Sequence, residues 1–250
     1  MTTPDFAGKV AWVTGGGQGF GAGAARRFAS HGAKVVVSDI NRESAAAVAE
    51  EIGGLAAPCD VSSLEQCQAA VATVLEHYGR VDVAFLNAGV ATGCGVGEDF
   101  DLAVYRRAMG VNLDGVVFGA HAVFGAMKAA GGGDIVATAS LAGLTGTGFD
   151  PIYGANKHGV VGLVRAIGDE WPQFGIRVNA ICPGFSNTAI VDPLREILTE
   201  SGIPLIPVEM VVDAVISAAT SGRSGECWYI QPGRPGEVFR FRGIPGPRTD

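Results

Sequence analysis

The stretch KVAWVTGGGQGFG, residues 9–21, decides the fold of this 250-residue chain. Its first six residues form an apolar run that predicts a buried strand, and a helical pattern begins near residue 20. The glycines between them permit a sharp turn and a close approach of the backbone to a ligand. A strand, a glycine-rich turn and a helix in this order suit a pyrophosphate bound at the helix N-terminus. A tight turn without a ligand would give the same local pattern.

Apolar runs and helical patterns alternate along the rest of the chain. The predicted strands are 9–14, 34–39, 55–58, 81–86, 134–138, 176–181 and 226–230. The predicted helices lie near 20–31, 42–52, 63–78, 101–129, 152–171 and 207–220. Several strands are apolar at every position, which is typical of a parallel sheet covered on both faces. The sequence therefore predicts a single α/β domain over residues 1–250, a Rossmann-type doubly wound parallel sheet of about seven strands with helices on both faces.

Composition excludes several classes of protein. The chain is 48% hydrophobic and 17% charged, so it has enough apolar residues for a sizeable core. No uncharged apolar run is long enough to predict a membrane span, and the net charge of −7 argues against nucleic acid or anionic membrane as a partner. Five cysteines without a C-x-x-C pair predict free thiols in a reducing cytoplasm rather than a disulfide framework or a zinc site.

Asp39 closes the second predicted strand, across from the glycine-rich turn. A carboxylate at this place accepts hydrogen bonds from the hydroxyls of an adenosine ribose and repels a 2′-phosphate. The sequence therefore predicts NAD rather than NADP as the cofactor. Two alternatives stay open: Asp39 could be a helix N-cap, and Arg42 could pair with a phosphate.

Tyr153 and Lys157 are one helical turn apart, so both side chains lie on the same helix face. A phenol has a pKa of about 10, and a nearby ammonium favours the phenolate and would lower that pKa toward neutrality. Ser140 ends the apolar run 134–140, where its hydroxyl would hold a substrate oxygen beside the phenol. The spacing of Tyr153 and Lys157 is common in helices by chance, but with Ser140 it predicts an acid–base catalyst.

The spacing Thr-Gly-x-x-x-Gly-x-Gly at residues 14–21, together with Tyr-x-x-x-Lys at 153–157, resembles the short-chain dehydrogenase/reductase family over about residues 6–231. The resemblance implies that Asn112 completes a catalytic tetrad with Ser140, Tyr153 and Lys157. The implied cofactor contacts are Gly15, Gln18, Gly19, Phe20, Gly21, Asp39, Ile40, Asp60, Val61, Asn87, Ala88, Gly89, Tyr153, Lys157, Pro183, Gly184, Phe185 and Thr188. The segment 229–233 and the arginine-rich tail, about 232–250 and predicted irregular, depart from the family pattern.

The resemblance also implies a mechanism. Tyr153 would be the general base in alcohol oxidation and the acid in ketone reduction. Lys157 would lower the pKa of Tyr153 and bind the nicotinamide ribose, while Ser140 would donate a hydrogen bond to the reacting oxygen. Asn112 would hold a water that links Lys157 to solvent, or would satisfy a backbone carbonyl as an ordinary buried polar residue. Hydride passes directly between substrate and nicotinamide, so no metal is predicted.

Two apolar segments bear on substrate and assembly. A predicted substrate lid, about 185–206, places Ile190, Leu194, Ile197 and Leu198 on one helical face, which favours a hydrophobic secondary alcohol or ketone, although ordinary packing would give the same stripe. The helix at 111–130 is apolar or small almost all round, including Val116, Val117, Phe118 and Phe124. This predicts a homo-oligomer, a dimer or a homotetramer, with part of the helix on a second subunit.

Three function classes remain after these arguments. The first is an NAD-dependent dehydrogenase acting on a hydrophobic secondary alcohol. The second is a reductase of 3-oxoacyl thioesters, which Asp39 disfavours and the arginine-rich tail supports. The third is a nucleotide-binding protein without catalysis, which the intact catalytic set disfavours.

Overall fold

An eight-stranded sheet forms the centre of the fold. In the computed structural model, which describes residues 5–243, the sheet order is β3-β2-β1-β4-β5-β6-β7-β8. Every neighbouring pair is parallel except β7 and β8. The strands are β1 (Val10–Thr14), β2 (Lys34–Ser38), β3 (Leu55–Ala56), β4 (Val83–Leu86), β5 (Gly133–Thr138), β6 (Ile176–Pro183), β7 (Cys227–Ile230) and β8 (Glu237–Val238).

Helices cover both faces of the sheet, as the predicted doubly wound fold requires. One face packs against α3, α5 and α6 around Trp12, and the other packs against α1, α2 and α8 around Phe28 and Phe85. The seven predicted strands are all present within a few residues. The helices are α1 (Gly19–Ser30), α2 (Arg42–Glu51), α3 (Leu64–Tyr78), α4 (Leu102–Met109), α5 (Gly115–Ala129), α6 (Pro151–Glu170), α7 (Arg195–Glu200) and α8 (Val208–Thr220).

The strand order reverses between β1 and β4, and this reversal positions the site. β2 lies on one side of β1 and β4 lies on the other, so the connections after β1 and after β3 run in opposite directions. The carboxyl ends of β1 and β4 therefore border an open crevice. The glycine-rich turn follows β1, and the segments that carry Asn87 and Ser140 follow β4 and β5.

The helix predicted near 101–129 is confirmed as one helical stretch, Leu102–Ala129, but a π-helical turn interrupts its α-helical geometry. A π-helical turn, Gly110–Asp114, separates α4 from α5. It contains the fully buried Asn112, whose side chain hydrogen-bonds the backbone of Val90. Helical periodicity does not reveal this turn, because the contact that accompanies it comes from a distant part of the chain.

By length and composition alone, the helical stretch Leu102–Ala129 could cross a membrane, with a mean hydropathy of 1.2 over its most apolar 18-residue window. The core helix of a soluble protein meets the same criterion. Val116, Val123 and Met127 on α5 belong to the main core, and α5 packs against α3 and β4. Only 39% of that window is buried, so much of this stretch faces outward.

The tail predicted as irregular contains a short strand. Residues Glu237 and Val238 pair antiparallel with Tyr229 and Trp228 of β7, so the tail extends the sheet. Two aromatic residues beyond it, Phe239 and Phe241, pack against the main core. The prediction of an irregular tail is therefore wrong for this part, and residues 244–250, which include Arg248, lie outside the described residues.

Candidate active site

The glycine-rich turn is closely packed, which explains its glycines. Gly15 and Gly19 have φ values of +59° and +53°, in the left-handed region. A Cβ on Gly21 would lie 2.1 Å from the Gly15 carbonyl oxygen, and one on Gly15 would lie 2.8 Å from Cα of Ala88. Gln18, at the N-cap of α1, makes no side-chain capping bond. The first-turn N–H groups of α1 therefore suit a phosphate.

Asn87 joins the ends of three strands beneath this turn. Its Nδ2 donates to the carbonyl oxygens of Thr14 and Gly15, both at 3.2 Å. Its Oδ1 accepts from the Thr138 hydroxyl at 3.1 Å, and its backbone N–H donates to the Thr14 hydroxyl at 2.9 Å. The side chain thus ties β1, β4 and β5 together, which fits its predicted role in the floor of the cofactor site.

Asp39 lies at the rim of the site and does not cap α2. Its Oδ2 accepts from the N–H of Gly17 at 3.0 Å, and its Oδ1 accepts from the N–H of Asn41 at 3.0 Å. The N-cap is Asn41, whose side chain accepts from the N–H of Ser44. The capping alternative for Asp39 is therefore wrong, and its carboxylate is held against the glycine-rich turn.

One cavity of about 560 Å³ brings most of the predicted residues together. Three predicted residues do not line it. Gly21 packs beneath the turn, Asn112 is fully buried, and the Phe185 ring lies against Phe149 with centroids 6.1 Å apart. The predicted residues that line it are Gly15, Gln18, Gly19, Phe20, Asp39, Ile40, Asp60, Val61, Asn87, Ala88, Gly89, Ser140, Tyr153, Lys157, Pro183, Gly184 and Thr188.

The residues present fit a dinucleotide. The cavity runs from Asp39 and Ile40 past the glycine-rich turn to Ser140 and Tyr153, so an adenosine, a pyrophosphate and a nicotinamide each meet suitable groups. Asp60 at the adenosine end accepts from the N–H and hydroxyl of Ser62, which fixes the turn before α3.

Burial governs the protonation of Tyr153. It raises the pKa of the phenol to about 12, while a hydrogen bond with Ser140 acts in the opposite direction and the charge of Asp150 adds to the increase. Nζ of Lys157 lies 5.6 Å from the centre of the Tyr153 ring. Desolvation is the largest influence on the pKa of Tyr153, so the lowering of this pKa by Lys157 stays a prediction for the complete site.

Lys157 is buried along the wall of the cavity, with 2% of its surface exposed. Its Nζ donates to the carbonyl oxygen of Thr138 at 2.7 Å. Burial lowers the pKa of this ammonium to about 8. The same desolvation that opposes a phenolate at Tyr153 thus opposes the cation at Lys157.

The bonds of Asn112 match the alternative drawn from the sequence, a polar side chain that satisfies the backbone. Its Oδ1 accepts from the N–H of Val90 at 2.8 Å, and its Nδ2 donates to the Val90 carbonyl at 2.9 Å and to Asn156 at 3.2 Å. A Cβ on Gly89 would lie 3.3 Å from this Oδ1 and 3.7 Å from Nζ of Lys157, so both groups border one small space. The predicted water relay through Asn112 stays a prediction.

The lid segment is only partly apolar on its outer face. It consists of a 3₁₀ turn, Ala189–Leu194, followed by α7. Ile197 is 60% exposed and Ile190 is 39% exposed, whereas Leu198 is buried, so the predicted stripe does not lie on one surface. Arg195 ties the segment inward through hydrogen bonds to Asp192 and Asn187.

Several residues of the site were missed by the sequence argument. Thr138 anchors both Lys157 and Asn87, and only its place at the end of a predicted strand could have indicated it. Asp150, directly before Pro151, has the pattern of an N-cap followed by a helix-starting proline. The missed residues that line the cavity include Cys59, Val90, Arg107, Val111, Thr138, Ala139, Ser186, Asn187, Ala189 and Val191, whereas Ile190 of the predicted lid lines it as expected.

The chain is similar to known oxidoreductases over most of its length. Cyclohexanol dehydrogenase of Acinetobacter sp. (strain SE19) is 40% identical over 196 residues, which are 76% of this chain and 78% of that protein. Levodione reductase of Leifsonia aquatica is 39% identical over 197 residues, 76% of this chain and 74% of that protein.

Solved structures of oxidoreductases also share the fold of this chain. A crystal structure of levodione reductase has a TM-score of 0.85 at 32% identity and covers 91% of this chain and 98% of its own. A 3-ketoacyl-(acyl-carrier-protein) reductase from Brucella melitensis complexed with NADH has a TM-score of 0.86 at 30% identity, covering 92% and 99%. The family model described as short chain dehydrogenase matches residues 9–198. This chain therefore belongs to the short-chain dehydrogenase family, whose members are oxidoreductases that bind a nicotinamide cofactor.

Proposed function

We propose that this protein is an NAD-dependent dehydrogenase that interconverts a hydrophobic secondary alcohol and its ketone. One observation carries the proposal: a single cavity holds the glycine-rich turn and Asp39 at one end and Ser140, Tyr153 and Lys157 at the other. The first group suits an NAD dinucleotide, and the second suits proton transfer to or from an oxygen beside its nicotinamide.

The chemistry assigned to the chain is proton transfer and charge stabilisation. Tyr153 takes the hydroxyl proton in alcohol oxidation and returns it in ketone reduction. The Ser140 hydroxyl accepts from the N–H of Ala142 at 3.1 Å and donates only weakly, over 3.4 Å, to the Pro183 carbonyl, so its proton is available for the reacting oxygen. Lys157 binds the nicotinamide ribose, and the bound nicotinamide supplies or accepts the hydride.

A hydrophobic, ring-bearing substrate is favoured. Apolar Ile190 and Val191 line the cavity, and the 62% exposed Phe149 packs against Phe185, next in the chain to the lining residues Gly184 and Ser186. The relatives are named for a cyclic alcohol and for levodione, which supports a cyclic alcohol or ketone here. The lid about 185–206 would cover such a substrate.

The proposal includes that the protein is a homo-oligomer and is located in the cytoplasm. On α5, Val117 is 39% exposed although it is apolar. Two other residues of the predicted contact are already covered within the chain, because Val116 is buried and Phe124 packs against Trp171. The contact therefore centres on Val117 and its neighbours. The five free cysteines support a reducing compartment.

Initial rates against cyclic alcohols, cyclic ketones and a 3-oxoacyl thioester, each with both cofactors, test the proposal. The wild type should be most active on a cyclic secondary alcohol with NAD. Tyr153→Phe should lower kcat by at least about a thousandfold and leave the Kd for NAD within about threefold, because only the proton-transfer group is lost. Tyr78→Phe on α3 is the matched control. Turnover by Tyr153→Phe within tenfold of the wild type would contradict the assignment.

Reduction of 3-oxoacyl thioesters is the second candidate. A cleft of about 600 Å³ lies beside Leu141 and Leu144, in the loop after Ser140, and is lined by Arg234, Arg240 and Arg242. Guanidinium groups suit the phosphates of an acyl carrier. Faster turnover of the thioester with NADPH than of any cyclic ketone with NADH would favour this function.

A further inference from the structure

The N-cap of the catalytic helix is a buried carboxylate that binds two separate parts of the chain. Asp150 is 6% exposed and precedes Tyr153 by one helical turn. Its Oδ1 accepts from the N–H of Tyr153 at 3.0 Å and from the hydroxyl of Thr92. Its Oδ2 accepts from the N–H groups of Thr92 and Gly93, both at 3.2 Å. Four donors therefore satisfy this carboxylate.

The bonds of Asp150 complete the attachment of one loop to α6. That loop connects β4 to α4, and its Val90 is held by Asn112, which also bonds Asn156 of α6. Two residues further on, Thr92 and Gly93 bind Asp150. Cys94 is buried against Ile152, while most residues from there to α4 are exposed. Gly89 and Val90 of this loop line the cavity and Thr92 and Gly93 follow shortly after them, so α6 holds the loop next to the site.

The hydrogen-bond partners of the Asp150 carboxylate are neutral groups. The ion pairs formed within residues 5–243 do not include it. The groups that act on the Tyr153 phenol are Ser140, Asp150 and Cys182, with Lys157 5.6 Å from its ring. Asp150 is therefore the carboxylate that opposes a second negative charge at the phenol.

We propose that Asp150 is a positioning residue whose carboxylate holds the Thr92–Gly93 turn against the first turn of α6, which carries Tyr153. This inference rests on the proposed function, since it concerns the same site. It joins two effects in one side chain: the shape of the wall beside the substrate oxygen, and the proton affinity of the group that serves that oxygen.

Two variants separate the effects. Asp150→Asn keeps a good N-cap and most of the shape but removes the charge. Because the charge of Asp150 raises the pKa of Tyr153, its loss should move the Tyr153 limb of the pH profile for kcat to lower pH, by roughly one unit. Thr92→Val keeps the charge of Asp150 and removes one hydrogen bond to the loop. KM for the alcohol should therefore rise about three- to tenfold, while the pH dependence of kcat should match that of the wild type. Asp101→Asn, at the N-cap of α4, is the matched control.

Failure to turn over any alcohol would refute the proposed function and not this inference. A second measurement, which needs no substrate, therefore tests the inference separately. Ultraviolet absorbance of tyrosinate, corrected with Tyr153→Phe, should show Tyr153 ionising at lower pH in Asp150→Asn than in the wild type. Asp150→Glu, which retains the charge, should ionise like the wild type. An unmoved Tyr153 titration in Asp150→Asn, or an unchanged KM in Thr92→Val, would overturn the inference.

Discussion

Removing the charge of Asp39 should relax a strong preference for NAD over NADP. The carboxylate is fixed by the N–H groups of Gly17 and Asn41 and borders the cavity where an adenosine ribose would lie. In NAD it accepts from the ribose hydroxyls, whereas in NADP it meets a 2′-phosphate. We therefore expect discrimination to come from repulsion as well as from a lost hydrogen bond.

The size of the effect follows from the charges and the exposure. A phosphate carries about −1.5 to −2 charges at neutral pH, and two unit charges 4 Å apart interact by ~1 kcal/mol in water and ~4 kcal/mol near a protein surface. Asp39 is half-buried, so a value between these limits applies. We expect NAD to be preferred by at least about a hundredfold in kcat/KM, which corresponds to roughly 2.7 kcal/mol.

The assay compares kcat/KM for both cofactors with one alcohol. Asp39→Asn retains an acceptor for one of the two N–H groups and removes the charge, so it should bring the two cofactors within about tenfold of each other. Arg42 is exposed close by on α2, and Arg42→Ala in the Asp39→Asn background should lower the rate with NADP if the guanidinium binds the phosphate. Equal use of both cofactors by the wild type would refute the reasoning.

Three further outcomes are expected. Gly21→Ala should weaken NAD binding at least about tenfold in titrations, because its Cβ would lie 2.1 Å from the Gly15 carbonyl oxygen. The free energy of unfolding should rise by up to roughly 3 kcal/mol as the pH rises from about 8 to 10.5, because over this range the unfolded chain retains a proton that the folded Lys157 has lost; Lys157→Met should flatten this rise in denaturant titrations. Val117→Asp should shift the oligomer toward monomer in light scattering, whereas Ala47→Asp on the exposed face of α2 should not, and a wild type that is monomeric at high concentration would contradict the contact.

The sequence predicted features that depend on local pattern. Strands buried on both faces have nearly uniform apolar runs, so β1, β2 and β4 were found with the helices between them. The glycine-rich turn and the one-turn spacing of Tyr153 and Lys157 are likewise local, and 17 of the predicted site residues line one cavity. The position of Ser140 at the end of a predicted strand likewise indicated that its hydroxyl lies beside Tyr153.

Features that depend on contacts between distant segments were not predicted. The π-helical turn at Gly110–Asp114 has ordinary helical periodicity, so the sequence does not reveal it. The resemblance implied a role for Asn112, but its bonds to Val90 and Asn156 join distant segments and have no local signal. The strand β8 has two residues, and its pairing depends on the free edge of β7. No local pattern in residues 237–238 distinguishes such a strand from an irregular tail.

The protonation of the catalytic pair shows why neighbouring charges alone are a poor guide. From spacing, the ammonium of Lys157 should stabilise a phenolate at Tyr153. Burial affects both groups, however, raising the pKa of Tyr153 to about 12 and lowering that of Lys157 to about 8. Each shift favours the neutral form, so near neutral pH the chain alone holds the proton on Tyr153, the state that ketone reduction requires. Desolvation makes the largest contribution to the shift of Tyr153 and the charge of Asp150 adds to it, so the ammonium at one-turn spacing is only one of several influences on the pKa of the phenol.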